Sequence, residues 1–156
     1  MNIRLVATDV DGVLTDNTFV YDYELTKRRR WNMADGVAAQ KLKAAGIQVV
    51  FLTQEESADI VQRAKALDVL VIVGGTDKLE ALKRLYLHPR GILLDAVAYI
   101  GNEENDLPVL HAVGHAFMPA DAWLDFKHLT HGHQLARKGG DGCLREVAEW
   151  VLRHES

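Results

Sequence analysis

The sequence predicts an α/β fold in which a parallel sheet is covered by helices. Short apolar runs alternate along the chain with longer segments of helical pattern, which is the order produced by strands joined through crossover helices. The first apolar run ends in closely spaced acidic residues and a glycine, as expected at the edge where such sheets bind ligands. Hydrophobic residues make up 48% of the 156 residues, enough for the core of one domain. We therefore predict a single domain over residues 1–156.

The elements can be assigned in chain order. The first strand covers residues 3–7, and two β-prone pieces at 18–21 and 26–31 predict a hairpin within about residues 17–31. A helix follows, with Asp35 at its start and Gly46 as its stop. The remaining predicted strands lie at 47–52, 69–73, 96–100 and, weakly, 115–117. The remaining predicted helices lie at 57–67, 107–113 and 143–153, with a helical turn at 121–126. A further helix is predicted to begin at a cap formed by Thr76 or Asp77 and to end at about residue 85.

Composition excludes several classes of protein. A formal net charge of -4 and a pI near 5.9 argue against general nucleic-acid binding. The basic run at residues 27–30 is interpreted as a solvated strand or turn that can also draw anionic substrates toward a nearby site. A single cysteine, Cys143, excludes an internal disulfide, and the nearby His128, His131 and His133 lack the cysteine or acidic partners of a zinc site. The sequence shows no secretory leader and no apolar run long enough to cross a bilayer, so we expect a cytoplasmic protein with no membrane partner.

The most informative stretch is the end of the first strand, where Asp9 and Asp11 precede Gly12. Two carboxylates this close repel each other unless a cation lies between them, and oxygen ligands at this density suit Mg²⁺. A lone Asp-x-Asp would be consistent with an ordinary polar turn. The fuller pattern at residues 9–16, Asp-Val-Asp-Gly-Val-Leu-Thr-Asp, is much more specific.

Residues 9–16 resemble the first motif of the haloacid dehalogenase superfamily of phosphatases. From about residue 3 to residue 151, the chain resembles the small members of that superfamily that dephosphorylate 3-deoxy-D-manno-octulosonate 8-phosphate and 2-keto-3-deoxynononate 9-phosphate. The resemblance implies a three-layer Rossmann-like parallel sheet with the hairpin as its cap and no large cap domain. It also implies a Mg²⁺ cofactor, a sugar phosphate substrate and a homotetramer in which hairpins from four subunits pack together.

The resemblance assigns roles at three strand ends. Asp9 is the expected nucleophile, which forms an aspartyl phosphate and also binds Mg²⁺. Asp11 is the expected general acid and base, and its backbone carbonyl is a further metal ligand by family analogy. Thr53 matches the family's Ser/Thr motif and would hold a phosphoryl oxygen, whereas Gln54 replaces the usual glycine and is a candidate substrate contact. Lys78 matches the third motif and would offset charge on the transferring phosphoryl group, although most helix lysines are simply solvated.

The fourth strand end, residues 101–106, would complete the metal site. Asn102 stands where the family usually has an aspartate, so an amide oxygen would replace a charged ligand and weaken the affinity for Mg²⁺. Glu103 and Asp106 would compensate directly or through water. Arg137, in a glycine-rich segment at 137–142, is expected to reach a neighbouring subunit's site and bind the substrate's carboxylate or phosphate. A flexible loop is the alternative interpretation of that segment.

We therefore predict a magnesium-dependent phosphatase acting on a phosphorylated 3-deoxy-2-ulosonic acid with eight or nine carbons. One alternative is a catalytically weak tetramerisation module of the kind attached to CMP-acylneuraminate synthetases, whose fourth motif also reads Gly-Asn-Glu. Retention of Asp9, Asp11, Thr53 and Lys78 together favours an enzyme. A signalling receiver domain is a second alternative, but its phospho-accepting aspartate would end the third strand, and residues 69–75 contain none.

Overall fold

The computed structural model describes residues 1–125, 127 and 129–155, and these form a six-stranded parallel sheet beside a separate hairpin. In chain order the strands are β1 (Leu5–Thr8), β2 (Val20–Tyr21), β3 (Lys27–Arg28), β4 (Gln48–Thr53), β5 (Leu70–Val73), β6 (Val97–Ile100), β7 (His115–Met118) and β8 (Gly132–Gln134). The sheet order is β5-β4-β1-β6-β7-β8, and every neighbouring pair is parallel. The central position of β1 accounts for the burial of all four of its residues, because both of its faces are covered.

Helices cover both faces of the sheet. They are α1 (Met33–Ala44), α2 (Ala58–Leu67), α3 (Lys78–Leu82), α4 (His88–Arg90), α5 (Leu107–Ala112) and α6 (Cys143–Glu155). One core cluster joins the sheet to α1, α2 and α6, and a second joins it to α3 and α5. Along β1, Val6 belongs to the first cluster and Leu5 and Ala7 to the second, as the alternation of side chains in a strand requires. The predicted three-layer α/β fold is confirmed.

The hairpin lies between β1 and α1, as predicted, and in the described part of the chain it is the sole cap-like insertion. Its strands β2 and β3 are antiparallel, with Val20 opposite Arg28 and Tyr21 opposite Lys27. The strands are shorter than the sequence predicted. The Asp22 carboxylate accepts hydrogen bonds from the backbone N–H groups of Glu24 and Thr26, so the connecting turn occupies more of the segment.

Two helix starts differ from the prediction. Helix α1 begins before Asp35, because the side chain of Asn32 caps it by accepting a hydrogen bond from the N–H of Ala34. Asp35 lies in the first turn and is buried. Of the two candidate caps of α3, Asp77 is the one that accepts a hydrogen bond from Glu80, at 3.0 Å. That helix continues beyond Leu82 in π-helical form over Lys83–Leu87 and then into α4.

The segment before α6 also differs. The predicted helical turn at 121–126 is a turn with bends over residues 121–125, and Phe126 lies outside the described residues, as do His128 and Ser156. Strand β8 was not predicted, since Gly-His-Gln has neither alternation nor β-branched residues; it forms because β7 offers an open edge. No helix of the described residues is long and apolar enough to span a membrane.

Candidate active site

The carboxyl ends of β1, β4, β5 and β6 meet at one edge of the sheet, and an open pocket lies there. The described residues that line it are Asp9, Asp11, Asn17, Thr53, Gln54, Glu55, Lys78, Asn102, Glu103 and Asn105. Most of the predicted site residues are therefore brought together. Two lie elsewhere, because Asp106 is fully buried behind the pocket and Arg137 lies on the surface.

The turn after β1 places Asp9 at the base of the pocket. The N–H of Asp9 continues the pairing with β6 by donating to the carbonyl of Ile100 at 2.9 Å. Gly12 then adopts a φ of +83°, and a Cβ at this position would lie 2.0 Å from the side-chain amide group of Asn102. Both the backbone conformation and the lack of space require glycine here. The close approach lets Asn102 reach the turn that carries both aspartates.

Lys78 joins two buried carboxylates. Its Nζ lies 3.0 Å from Oδ1 of Asp9 and 2.8 Å from Oδ1 of Asp106, and its side chain is only 2% exposed. Burial and the nearby Asp106 charge raise the pKa of Asp9, although Lys78 opposes this. Burial would lower the pKa of Lys78, but the two carboxylates outweigh it and raise that pKa. Lys78 is therefore a charged, positioned group, and not a solvated helix lysine.

Asp106 supports the site from behind. Its Oδ1 accepts from Lys78 and from the hydroxyl of Tyr99 at 2.6 Å, and its Oδ2 accepts from the N–H groups of Asn102 and Glu103 at 2.9 and 3.2 Å. Each carboxylate oxygen thus already has two donors. This arrangement disfavours Asp106 as a direct metal ligand and makes it the group that fixes Lys78 and the loop after β6. Tyr99 carries no sequence signal that would have marked it.

Asn102 lies beside two oxygens that are predicted from the sequence to be metal ligands. In the amide orientation that satisfies its neighbours, its nitrogen donates to Asp9 Oδ2 at 2.8 Å and to the Asp11 carbonyl oxygen at 3.0 Å. These two oxygens are the expected metal ligands, so the amide N–H₂ takes the place of the positive charge. The opposite orientation would present the amide oxygen beside them. The described residues contain no cluster of three or more His, Cys, Asp or Glu side chains suited to a metal.

The remaining predicted contacts lie on the pocket wall. Thr53 ends β4, is 3% exposed, and donates its hydroxyl to the carbonyl of Glu55 at 3.0 Å. The amide of Asn105 donates to Oε1 of Gln54 at 3.2 Å, which links the loops after β4 and β6. Glu103 is half-buried, and its carboxylate accepts from the N–H of Glu104 at 3.0 Å.

Asp11 has a partner that the sequence did not indicate. Arg29, which follows β3, donates from Nε to Asp11 Oδ1 at 2.6 Å and from Nη2 to Asp11 Oδ2 at 3.2 Å. Arg29 is also bound by Asp59 and Ser57 at the start of α2. Its side chain is 3% exposed. The basic run at 27–30 was noted in the sequence, but nothing there distinguished this buried member from its solvated neighbours.

The glycine-rich segment at 137–142 packs against the turn after β1. A Cβ on Gly139 would lie 2.2 Å from the carbonyl oxygen of Gly12, and Gly140 donates its N–H to the carbonyl of Val13 at 3.0 Å. Arg137 is not among the described residues that line the pocket; its side chain is 59% exposed, with Nη1 3.7 Å from Oδ2 of Asp141. The segment therefore supports the turn after β1, and the expected reach of Arg137 toward a neighbour stays a prediction.

Solved structures define the class of protein. A hydrolase of the haloacid dehalogenase superfamily from Legionella pneumophila matches with a TM-score of 0.90 and 30% identity over 97% of this chain and 83% of that chain. The fold is that of this superfamily.

Sequence relatives narrow the class further. The 3-deoxy-D-manno-octulosonate 8-phosphate phosphatase of Haemophilus influenzae is 35% identical over 153 residues, covering 97% of this chain and 84% of the relative. The Moraxella catarrhalis phosphatase of the same name, in complex with magnesium, phosphate and KDO, has a TM-score of 0.89 and 34% identity over 97% of this chain and 87% of that one. A cobalt-bound form of the Haemophilus influenzae phosphatase has a TM-score of 0.88 at 34% identity, over 97% of this chain and 88% of that one. No protein-family model matches the chain. The chain belongs to the family of 3-deoxy-D-manno-octulosonate 8-phosphate phosphatases, and it is a phosphoric monoester hydrolase.

Proposed function

We propose that this protein hydrolyses a phosphorylated 3-deoxy-2-ulosonic acid through an aspartyl phosphate on Asp9. The observation that carries the proposal is the Asp9 carboxylate, which stands at the base of the pocket with Lys78 at 3.0 Å and with Asp11 and Thr53 in the same pocket wall. A carboxylate held beside a buried ammonium can approach an anionic phosphoryl group, because the ammonium offsets charge on both.

The chain's own residues account for both half-reactions. An Asp9 oxygen attacks phosphorus, the bond from phosphorus to the sugar oxygen breaks, and the Asp11 carboxyl gives its proton to the leaving alkoxide. Water then attacks the aspartyl phosphate, and Asp11 takes the water proton while the Asp9 carboxylate and inorganic phosphate are released. Thr53 and the backbone that follows it would hold the phosphoryl oxygens, with Gln54 beside the departing sugar.

A divalent cation fits the donor set. Asp9 Oδ2, the Asp11 carbonyl and the Asn102 amide oxygen would hold it, with Glu103 acting through water. Mg²⁺ commonly binds through one or two carboxylates and keeps several waters, and the amide nitrogen of Asn102 already bridges two of these oxygens. The cation would neutralise charge on the phosphoryl oxygens. Magnesium and cobalt in related structures support a divalent metal, and we propose Mg²⁺.

The substrate's sugar acid needs a further cation. Asp9, Asp11, Glu55 and Glu103 line the pocket, and Lys78 is the single cationic side chain among the described lining residues. Lys78 is already held by two carboxylates. We propose that Arg137 of a neighbouring subunit binds the substrate carboxylate. The KDO in the related structure favours the eight-carbon substrate, 3-deoxy-D-manno-octulosonate 8-phosphate.

The test is phosphate release from the eight-carbon and nine-carbon substrates, with Mg²⁺ and with a chelator. We expect turnover of the eight-carbon ester in Mg²⁺, loss with the chelator, and loss of at least about 10³-fold in Asp9→Asn. Asp68→Asn is the matched control, because Asp68 is a surface carboxylate paired with Lys43. Normal turnover in Asp9→Asn would refute the nucleophile, and a folded wild type with no turnover would favour the weak tetramerisation module.

A further inference from the structure

Arg29 makes a set of contacts that links the hairpin, the start of α2 and the pocket. Its guanidinium donates from Nε and Nη2 to the two carboxylate oxygens of Asp11. Its Nη1 donates to Ser57 Oγ and to Asp59 Oδ1, both at 2.8 Å. Its backbone N–H donates to Asp59 Oδ2 at 2.9 Å. Asp59 in turn accepts from the Ser57 hydroxyl at 2.6 Å. The guanidinium is therefore fixed from both sides.

This arrangement is costly if it serves stability alone. The side chains of Arg29 and Asp59 are 3% and 6% exposed, and buried ion pairs often stabilise a fold no better than apolar residues of the same size. Asp11, at the other end of Arg29, is 43% exposed and opens into the pocket. The contacts therefore run from a buried anchor at α2 to a carboxylate that faces the substrate.

We propose that Arg29 is a positioning residue that holds the Asp11 carboxylate in the orientation from which it transfers protons, with Asp59 as the anchor of Arg29. The inference rests on the proposed role of Asp11. Free Asp11 at the pocket edge would rotate among several rotamers, and a two-point clamp selects one of them. A lysine at position 29 would keep the charge but lose the fork that reaches Asp11 and Asp59 together.

The clamp predicts a defect that depends on the leaving group. Phenyl phosphate and p-nitrophenyl phosphate are close in size, but phenolate is the poorer leaving group and needs a proton from a well-placed acid. The ratio kcat/KM reports steps up to release of the alcohol, so it isolates proton donation from the later attack of water. Neither ester carries the sugar acid, so changes in sugar binding do not enter.

In Arg29→Met, kcat/KM should fall roughly 10- to 100-fold for phenyl phosphate and less than about threefold for p-nitrophenyl phosphate. Arg29→Lys should recover part of the loss, and Asp59→Asn should show the same selectivity in weaker form. Arg153→Met is the matched control, because Arg153 is an exposed arginine of α6 that donates to the backbone carbonyl of Glu149. It should leave both substrates unchanged.

Circular dichroism and light scattering establish which variants are folded and assembled. Equal loss of both substrates in folded Arg29→Met would show a structural role and overturn the inference. If Arg29→Met does not fold, an unchanged substrate ratio in both Arg29→Lys and Asp59→Asn overturns it. Failure of the proposed function has a different signature, since wild type would then hydrolyse neither ester, and the inference would fall with it.

Discussion

Asn102 places a neutral amide between two oxygens that attract a positive charge, Asp9 Oδ2 and the carbonyl of Asp11. Its hydrogen bonds hold the turn after β1 in place before any cation arrives. A cation bound at those oxygens requires the amide to turn its oxygen inward and to give up both hydrogen bonds. We therefore expect the amide to stabilise the metal-free protein and to weaken metal binding.

Asn102→Asp should reverse that balance. The new carboxylate would lie beside Asp9, so the metal-free protein should melt a few degrees lower, while Mg²⁺ should bind on the order of tenfold more tightly. Calorimetric titration with Mg²⁺ and melting curves with and without Mg²⁺ measure both effects without relying on activity. Asn105→Asp is the control, since it adds the same charge to the rim of the pocket. Equal effects in the two variants would mean that Asn102 is not a ligand.

The sequence indicated the site residues that follow the ends of strands, but it did not indicate the residues that hold those side chains in place. Asp9, Asp11, Thr53 and Lys78 each follow an apolar run or open a helix, so their shared location could be inferred from the sheet edge. Arg29 meets Asp11 and Asp59 across 18 and 30 residues, and Tyr99 meets Asp106 across seven. All three contacts depend on side-chain packing. Asp106 was placed in the right loop, but its use by Lys78 and Tyr99 depends on rotamers that no motif encodes.

Among the elements, α1 and α6 are joined by a buried carboxylate on α1. Asp35 Oδ1 accepts from the N–H of Arg145 at 3.1 Å, near the start of α6, where the helix end attracts a negative charge. Its Oδ2 has no hydrogen-bond partner within the described ranges. Burial raises the pKa of Asp35 to about 6, with Asp141 adding to the rise and the backbone N–H groups of α6 and Arg63 opposing it.

The raised pKa makes this carboxylate a source of pH-dependent stability. The folded chain holds the Asp35 proton more tightly than the unfolded chain, whose pKa is near 3.8, so the stabilisation is fully present below that value. It is lost as the pH rises through about 6. Asp35→Asn cannot ionise, so its unfolding free energy relative to wild type should rise by roughly 2 kcal/mol between pH 4 and pH 7.

Urea unfolding of both proteins across this pH range measures the difference. Asp68→Asn is the control, because Lys43 lowers the pKa of Asp68 and the trend should then have the opposite sign. A difference between Asp35→Asn and wild type that stays constant with pH would show that Asp35 is ionised at little cost.

The predicted ends of strands and helices show which of them the hydrophobic periodicity of the sequence can locate. Strands buried on both faces were located within one or two residues, since apolar runs of that length have few other uses. Strand β8 was missed because its pairing with β7 comes from the open sheet edge and not from its own side chains. The early start of α1 was missed because Asn32 and Asp35 are both plausible caps, and tertiary contact with α6 draws Asp35 into the core.

In the single chain, the hairpin carries an apolar surface that no other part of the described structure covers. Phe19, Val20 and Tyr21 are 44%, 66% and 58% exposed, and Tyr23 and Leu25 are more exposed still. The Phe19 and Tyr21 rings meet edge to face at 5.3 Å, which presents them as one patch. Two-residue strands supply little stability of their own, and patches of this kind mark association surfaces.

We propose that these hairpins pack together in a homotetramer, which would also bring Arg137 of one subunit toward the pocket of another. Phe19→Asp combined with Tyr21→Asp should therefore dissociate the assembly and lower kcat/KM for the sugar phosphate by more than tenfold, because buried charges oppose association and the substrate carboxylate loses its cation. Light scattering and turnover of the same samples test both effects.

Leu85→Asp combined with Leu93→Asp is the control, since both leucines are exposed away from the hairpin. A wild-type monomer with full activity would refute the assembly, whereas a dissociated double variant that retains its activity would leave the tetramer standing and remove Arg137 from the site.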